Sequence, residues 1–579
     1  MQRERIANFL NSELNAVTEN FGKKFSAPAL HLLYESEEMF VGQFLKFEDG
    51  EMIVKFKASG CLPRKGEYVD AFYLPQSLQT PNAWKGKTYG DLYKNRIKSS
   101  EAACIWHANG REPKTIIGGF KGLDLSFSDY IKQTPGALVF FGPHRPPIDY
   151  LCNLYNLTKN DVSDRVSDIL DYKYNSYDTI PILIKDNSLE FLYKQLFSTH
   201  VTILQGPPGT GKTQLIAELC ERLCMEGKSV LVTALTNRAL IEITLKQSCR
   251  RLLNEGRVLK SNLTYDEQEE VPGLTNLKKI IPIKGKLVLA TFFQVSGYIK
   301  EMMANECFDV VIMDEASQAL LPMFAVANKI GERNLWVGDY AQLGPVASLN
   351  SDRIKSGGYK DFVDGFTTLS EKRSFPLYQL TKTYRLPQRA ADYTGIFYRN
   401  SLISEKQNSV VTIKSLGKIL DPEGGPSLIL TDMEVSNPAP AFAIDMAAYL
   451  VHTIMSENTN CEIAVLSYLR KTVRALQRAI SLRLGIGNKV LIDTVSRVQG
   501  LTTDVTIFFV PYTSLNRSLE ARLFNVATSR AKSHTIIIAD KRIMTYQYLC
   551  EEVRTFLKKL FVSHSIYIPF NQLKHLLKM

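Results

Sequence analysis

Leu204-Gln-Gly-Pro-Pro-Gly-Thr-Gly-Lys-Thr213 decides how this chain is read. From Gly206 to Thr213 it satisfies G-x-x-x-x-G-K-[ST], and its flanks supply the context that pattern requires. Val201-Thr-Ile-Leu204 is short, apolar and β-branched, the composition of a buried strand. Downstream, Leu215, Ile216, Leu219 and Leu223 recur at helical spacing. A glycine loop between strand and helix turns backbone N–H groups and a helix N-terminus toward an anion. Gly206, Pro207, Pro208, Gly209, Thr210 and Gly211 are the expected cradle. Lys212 is placed to reach the β- and γ-phosphates, and the Thr213 hydroxyl to bind Mg²⁺. A chance glycine turn in a core strand–helix junction is the alternative, and the flanking pattern argues against it. The loop predicts a bound nucleoside triphosphate without saying what its energy is used for.

At 579 residues the chain is too long for one core and predicts about three to five domains. Its composition, 45% hydrophobic and 22% charged, is that of an ordinary folded chain. The net charge of +11 and pI near 9.0 favour a polyanionic partner, nucleic acid before an anionic membrane surface. Nine cysteines are scattered with no C-x-x-C and no zinc-spaced Cys/His cluster. Cys220 and Cys224 share a helix face and read as core, which fits a reducing cytosol. The charged start Met1-Gln-Arg-Glu-Arg is unlike a signal peptide. No apolar run approaches the ~20 residues of a bilayer span. A cytoplasmic chain follows, or a nuclear one in a eukaryote, with no membrane partner.

Ahead of the loop, residues 1–35 carry Ile6, Phe9, Leu10, Leu14 and Val17 on one face and predict a helical stalk. Phe40–Phe47, Glu-Asp-Gly and Met52–Lys57 read as a hairpin, and Tyr68–Leu74 as a further strand. Together they predict a small β-barrel over residues 36–120, whose exposed Lys and aromatic residues suit single strands. Residues 121–185 read as a connector, with helix near Asp161–Asp171. Beyond the loop, Ser229–Leu235 and Leu287–Phe293 are buried strands, and residues 245–285 a charged, irregular insertion. Phe308-Asp-Val-Val-Ile-Met-Asp314-Glu315 delivers paired carboxylates to a strand end, where parallel sheets place their sites. Asp314 is expected to hold Mg²⁺ and Glu315 to polarise the attacking water. Asn334–Val346 is another strand with polar groups at its end, Gln342 among them as a γ-phosphate sensor. Strand–helix alternation over residues 186–350 predicts a doubly wound α/β domain. Residues 351–579 repeat it without a second phosphate loop, through Cys461–Ser467, Lys489–Thr494 and Val505–Val510. Arg385 and Arg530 there are the residue type for a transition-state phosphate clamp reaching across a cleft.

In combination these stretches resemble the helicase motifs of superfamily 1, in its up-frameshift/senataxin-like branch. Gly206–Thr213 is similar to motif I, Thr236-Asn237 to Ia, Ala290-Thr291 to Ic and Asp314-Glu-Ala-Ser-Gln318 to II. Gly338–Val346 resembles motif III, Thr383-Tyr-Arg-Leu-Pro387 with Phe397–Leu402 motif IV, Val498-Gln-Gly500 motif V and Arg522–Lys532 motif VI. The order is right across about residues 185–540. The resemblance implies two RecA-like domains with ATP between them, and a barrel and insertion as accessory domains. It makes Arg385 and Arg530 the γ-phosphate arginines, and adds Gln499 and Gly500 to the nucleotide site. It places single-stranded nucleic acid on Thr236, Asn237, Thr291 and Thr494, moved 5′ to 3′. The chain departs from the pattern at Leu189, where an adenine-reading Gln is usual, at Ser496 and Thr502 in motif V, and at Thr383. Gln195 lies near the adenine position at a different distance. The Cys/His-rich region of some relatives is missing, which tips the expectation slightly to DNA over RNA.

The expected activity is therefore an ATP- and Mg²⁺-dependent helicase acting on single-stranded and tailed duplex nucleic acid, DNA or RNA. A nucleic-acid-stimulated ATPase that clamps a strand or remodels ribonucleoprotein uses the same residues. A metabolic kinase or GTPase predicts neither the second α/β domain nor arginines at motif-VI spacing.

Overall fold

The computed structural model describes residues 2–57, 62–63, 68–110, 112, 115–171, 180–300, 306–371, 375–406, 410–485, 489–498 and 500–569. Its centre is a nine-stranded sheet in the order Thr275–Leu277, Val258–Ser261, Leu287–Thr291, Val230–Ala234, Phe308–Met313, Gly331–Gly338, Val201–Gln205, Leu377–Leu380, Ile182–Ile184. Every neighbouring pair is parallel. Val201–Gln205, Val230–Ala234 and Leu287–Thr291 are buried at every position, as strands covered on both faces must be. Alternation sends Ile203, Leu231 and Val311 into one core, and Leu204, Val232 and Ile312 into the core on the opposite face. Cys220 and Cys224 are buried in the second of these, where burial pushes both thiols up.

A second, six-stranded sheet runs Leu491–Thr494, Ile463–Ser467, Thr503–Val510, Ala531–Asp540, Gly425–Thr431, Ser565–Ile568, again all parallel. It too is covered on both sides, with Ile507 and Phe509 in one core and Phe508 and Val510 in the other. The molecule is thus α/β with two doubly wound parallel sheets and an N-terminal antiparallel β domain.

That β domain is a closed barrel in which Phe40–Glu48, Glu51–Lys57, Thr115–Lys121, Lys98–Asn109, Tyr68–Tyr73 and Leu138–Pro143 pair in turn. Asp49 (φ 48°) and Gly50 (φ 77°) make its first hairpin turn, for which Asp-Gly is suited. Helix Gln2–Phe25 joins barrel to sheet: Phe25 packs edge-on against Tyr89, while Phe9 lies against Tyr359 and Phe362. Glu13 of this helix, 4% exposed, accepts backbone N–H bonds from Ser348 and Leu349.

Three expected boundaries shift. The barrel does not end at residue 120, because Leu138–Pro143 pairs with both Phe40–Glu48 and Tyr68–Tyr73 and removes the two open edges. Of the expected connector only helices Ile148–Asn160 and Asp164–Leu170 remain, and it does not run to 185, because Ile182–Ile184 is the edge strand of the first sheet. The stretch 245–285 is not an irregular insertion, since it adds strands Val258–Ser261 and Thr275–Leu277 to the first sheet. Its charge misleads: Lys260 is fully buried against Glu267 at 2.8 Å. The first α/β unit does not stop at 350, because Leu377–Leu380 pairs with the phosphate-loop strand itself.

Candidate nucleotide site and nucleic-acid face

Three adjacent parallel strands deliver the site. Gly338 is in register with Gln205, and Met313 with Trp336. Gly206, Asp314 and Asp339 therefore leave the same end of neighbouring strands. Gly209 and Gly211 have φ of 74° and 78°, the left-handed region that glycine enters without strain. A Cβ on Gly209 would stand 2.4 Å from the Cβ of Arg385 and 2.7 Å from the hydroxyl of Thr383. That close approach shows how the loop is held. The Thr383 hydroxyl donates to the Pro208 carbonyl at 2.9 Å, and the Tyr384 N–H to the Gly209 carbonyl at 2.8 Å. Thr210 closes the loop on the Pro207 carbonyl at 2.8 Å. Helix Lys212–Met225 begins at the loop's end, which puts Thr213 in its first turn. Lys212 folds across Gly206 and donates to its carbonyl at 2.6 Å.

Asp314 is 3% exposed and accepts the Glu315 N–H at 2.9 Å. Burial and then the Glu315 charge push its carboxyl up to about 7, against the pull of the Glu315 N–H and Lys212. Glu315 sits at φ 49°, a turn that swings its side chain out of line with the strand.

Behind these groups lies a buried polar chain. The Asp339 carboxylate, 2% exposed, accepts from Gln205 at 2.7 Å, Gln342 at 2.6 Å and the Tyr398 hydroxyl at 2.8 Å. Burial raises its pKa; Lys212 and these hydrogen bonds oppose that shift. Arg530 donates to the Gln342 side-chain carbonyl at 3.0 Å and to the Val526 carbonyl at 2.9 Å. Asn525 donates to the Tyr398 hydroxyl at 2.8 Å and the Ala341 carbonyl at 2.7 Å. Arg530 and Asn525 belong to the second α/β unit, and Gln342, Asp339 and Gln205 to the first. Arg385 does not reach over from the second sheet: it follows Leu377–Leu380 of the first and donates across the junction to the Ser529 carbonyl at 3.4 Å. Burial and the neighbouring Arg530 pull Arg385 down to about 9, still cationic at neutral pH, and burial lowers Arg530 as well.

The donor set fits a polyphosphate with a divalent metal ion. The buried guanidinium of Arg530, the half-buried one of Arg385, the lysine and the loop N–H groups converge on one strand end, beside two carboxylates of which one is driven toward its neutral form. A trianionic phosphate tail balances the first set and a divalent cation the second.

The remaining expected residues divide. Thr236 and Asn237 are exposed at the end of Val230–Ala234. Thr291, on the adjacent strand, is 6% exposed and caps helix Phe292–Tyr298 in a capping box with Gln294. Its hydroxyl therefore has a structural task. Thr494 is half-buried at the end of the second sheet's edge strand, near Ser496 at 3.5 Å. Gly500 (φ 85°) lies next to Leu501, whose carbonyl accepts from Arg530 at 3.4 Å; Gln499 is outside the described residues. Leu189 packs half-buried on the phosphate-loop face, and Gln195 holds the Tyr378 hydroxyl at 2.8 Å. The sequence assigns no role to Gln205, Asp339, Tyr398 and Asn525 and marks Thr383 only as a departure from motif IV, although all five lie inside stretches singled out above.

Two parallel sheets, one with phosphate loop and carboxylates and one supplying an arginine, define the nucleotide-driven helicase class. Two family models, both described as an AAA domain, match residues 191–348 and 365–542. The DNA replication ATP-dependent helicase/nuclease DNA2 of Saccharomyces cerevisiae is 26% identical over 64% of this chain and 26% of its own length. JHS1 of Arabidopsis thaliana, of the same description, is 23% identical over 65% of this chain and 31% of its own. DNA2 of Gallus gallus is 27% identical over 59% and 35%. The chain thus spans between a quarter and about a third of these relatives. These matches agree with its resemblance to the superfamily 1 helicases of the up-frameshift/senataxin-like branch. Nucleotide use with a divalent metal belongs to that class. Among the described residues no helix is long and apolar enough to cross a membrane.

Proposed function

We propose that this chain is an ATP- and Mg²⁺-dependent helicase that moves 5′ to 3′ on single strands and separates tailed duplexes, with DNA preferred over RNA. The observation that carries it is the buried chain Gln205–Asp339–Gln342–Arg530, which ties the phosphate-loop strand to the second sheet. Thr213 and Asp314 would hold the metal, which when bound screens phosphate charge. Glu315 would take up the proton of the attacking water. Arg530 and Arg385 would balance the charge that spreads over the transferring phosphoryl group, as a planar, permanently charged group does best. Charge appearing beside Arg530 pulls on Gln342 and Asp339, so the two sheets close and reopen with the nucleotide and their grips on a strand alternate. The names of the relatives support DNA as the track, and the proposal covers only the motor half of those names.

The test is ATP hydrolysis with no nucleic acid, single-stranded DNA and single-stranded RNA at one salt concentration, followed by unwinding of 5′- and 3′-tailed duplexes. Stimulation by DNA and separation of the 5′-tailed duplex are expected. Lys212→Ala and Glu315→Gln should each abolish the stimulated turnover. Equal turnover in all three conditions would remove the nucleic-acid role. Strong stimulation without strand separation would leave a strand-clamping ATPase.

A further inference from the structure

Helix Arg470–Leu484 carries five cations and no acidic residue. It buries Thr472, Val473, Leu476 and Ile480 against the second sheet, which leaves Arg470, Lys471, Arg474 and Arg478 exposed on its outer side. Residues 470, 474 and 478 fall at every fourth position, one above another and about 6 Å apart along the axis. Arg483, at the far end, pairs with Asp445. Among the described residues the other four have no ion pair or hydrogen bond through their side chains. By contrast, Arg222, Arg238 and Arg251 each pair with a carboxylate four residues further on. Four unpaired cations in line repel one another, and a row of anions at similar spacing relieves that repulsion.

The helix also stands where such a row would arrive. It follows strand Ile463–Ser467, whose Ser467 is in register with Thr494 of the edge strand. Gln477, midway along it, donates to the Ile492 carbonyl of that same edge strand at 3.1 Å. Leu491–Thr494 has no further strand on its outer side among the described residues, so the helix forms the margin of the sheet.

We propose that Arg470, Lys471, Arg474 and Arg478 form a phosphate-backbone track outside the inter-sheet cleft. It would hold the stretch of single strand that has passed Thr494. The inference rests on the proposed nucleic-acid role and adds to it a second binding segment that reads charge and not sequence. Its occupant is a single-stranded polynucleotide, whose regularly spaced phosphates match a linear row of cations better than a compact anion does.

The experiment compares binding of a short oligothymidylate of about 8 nucleotides and a long one of about 30, by fluorescence anisotropy across a salt series. The proteins are the full chain and the triple variant Lys471→Gln, Arg474→Gln, Arg478→Gln. For the long strand, the slope of log affinity against log salt should fall by about 2 units in the variant, roughly 0.7 for each phosphate no longer neutralised. For the short strand the slopes should coincide. Arg474→Lys with Arg478→Lys should retain the long-strand slope of the full chain, because charge alone is required. An unchanged long-strand slope in the triple variant overturns the track while leaving the proposed function standing. A lysine variant as impaired as the glutamine one overturns a track read by charge. A full chain that binds neither strand overturns both proposals.

Discussion

At the end of Val201–Gln205 the first sheet opens into glycine backbone and a helix N-terminus; at the end of Gly425–Thr431 the second sheet is closed by its own carboxylate. There the Met433 N–H donates to Asp540 at 2.8 Å, on a strand in register with Thr431. Asp540 is fully buried and held by Arg542 at 2.6 Å. Strand-end amides attract anions in any parallel sheet. In the second sheet an internal anion already satisfies them, and that sheet turns a guanidinium outward from a neighbouring helix end. The two sheets share an architecture and differ in which charge they leave unsatisfied. Only two such complements facing each other make one nucleotide site.

Breaking each side separately is the sharpest use of this comparison. Lys212→Ala on the first sheet should lose both nucleotide affinity and turnover. Arg530→Ala on the second should lower turnover by about 10³-fold, the usual cost of losing such an arginine, with nucleotide affinity changed far less. Titration with a fluorescent ATP analogue beside steady-state hydrolysis separates the two. A loss of affinity in Arg530→Ala as large as in Lys212→Ala would mean that the second sheet binds the ground state as well.

Asp339→Asn tests the link between the sheets. The side chain keeps its shape but turns one acceptor of the Gln205, Gln342 and Tyr398 bonds into a donor. An unpaired buried donor costs about 1–3 kcal/mol, so thermal unfolding should shift down, with a turnover loss smaller than that of Arg530→Ala. Wild-type melting with wild-type turnover would show that the sheets are coupled by another route. Tyr398→Phe removes one arm of the same node and leaves Asn525 its bond to the Ala341 carbonyl. About 1 kcal/mol is expected in chemical denaturation, with a small change in turnover.

The smallest effect lies outside both sheets. Burial works against a charge on His144 of the barrel, but its hydrogen bond to Asp70 and the Glu101 charge win and raise its pKa. A raised histidine contributes stability that is complete below its unfolded pKa near 6.5 and is lost as pH climbs through the higher folded value. His144→Asn should therefore flatten the fall of the melting temperature above pH 6.5. An identical fall in both proteins would remove the histidine from the account.

The phosphate loop, its strand and its helix were legible because their cause is local: Gly206–Thr213 carries the glycines and the lysine, and the apolar residues of Val201–Leu204 and Leu215–Leu223 flank it directly. The same holds for Asp314 and Glu315, where four apolar residues end in two acids. Parallel burial also announced itself, since strands covered on both faces are apolar without alternation. Lys260 shows where this reading stops. It belongs to the stretch whose charge reads as an irregular insertion, yet its buried ammonium is met by Glu267, seven residues on, and by the Ser261 and Asn262 carbonyls. Leu138–Pro143 shows it again, because an apolar run does not say which two edges it will seal.

Sequence by itself determined the chemistry of this protein: a phosphate loop, two carboxylates at a strand end, arginines downstream and a basic surface. Tertiary structure decided how those parts are joined. Gln205 meets Asp339 across 134 residues of chain, and Arg530 meets Gln342 across 188. Hydrogen bonds of that range have no periodicity to leave in the chain. They exist because sheet order and register bring distant strand ends to one place, where each buried polar group must find a partner.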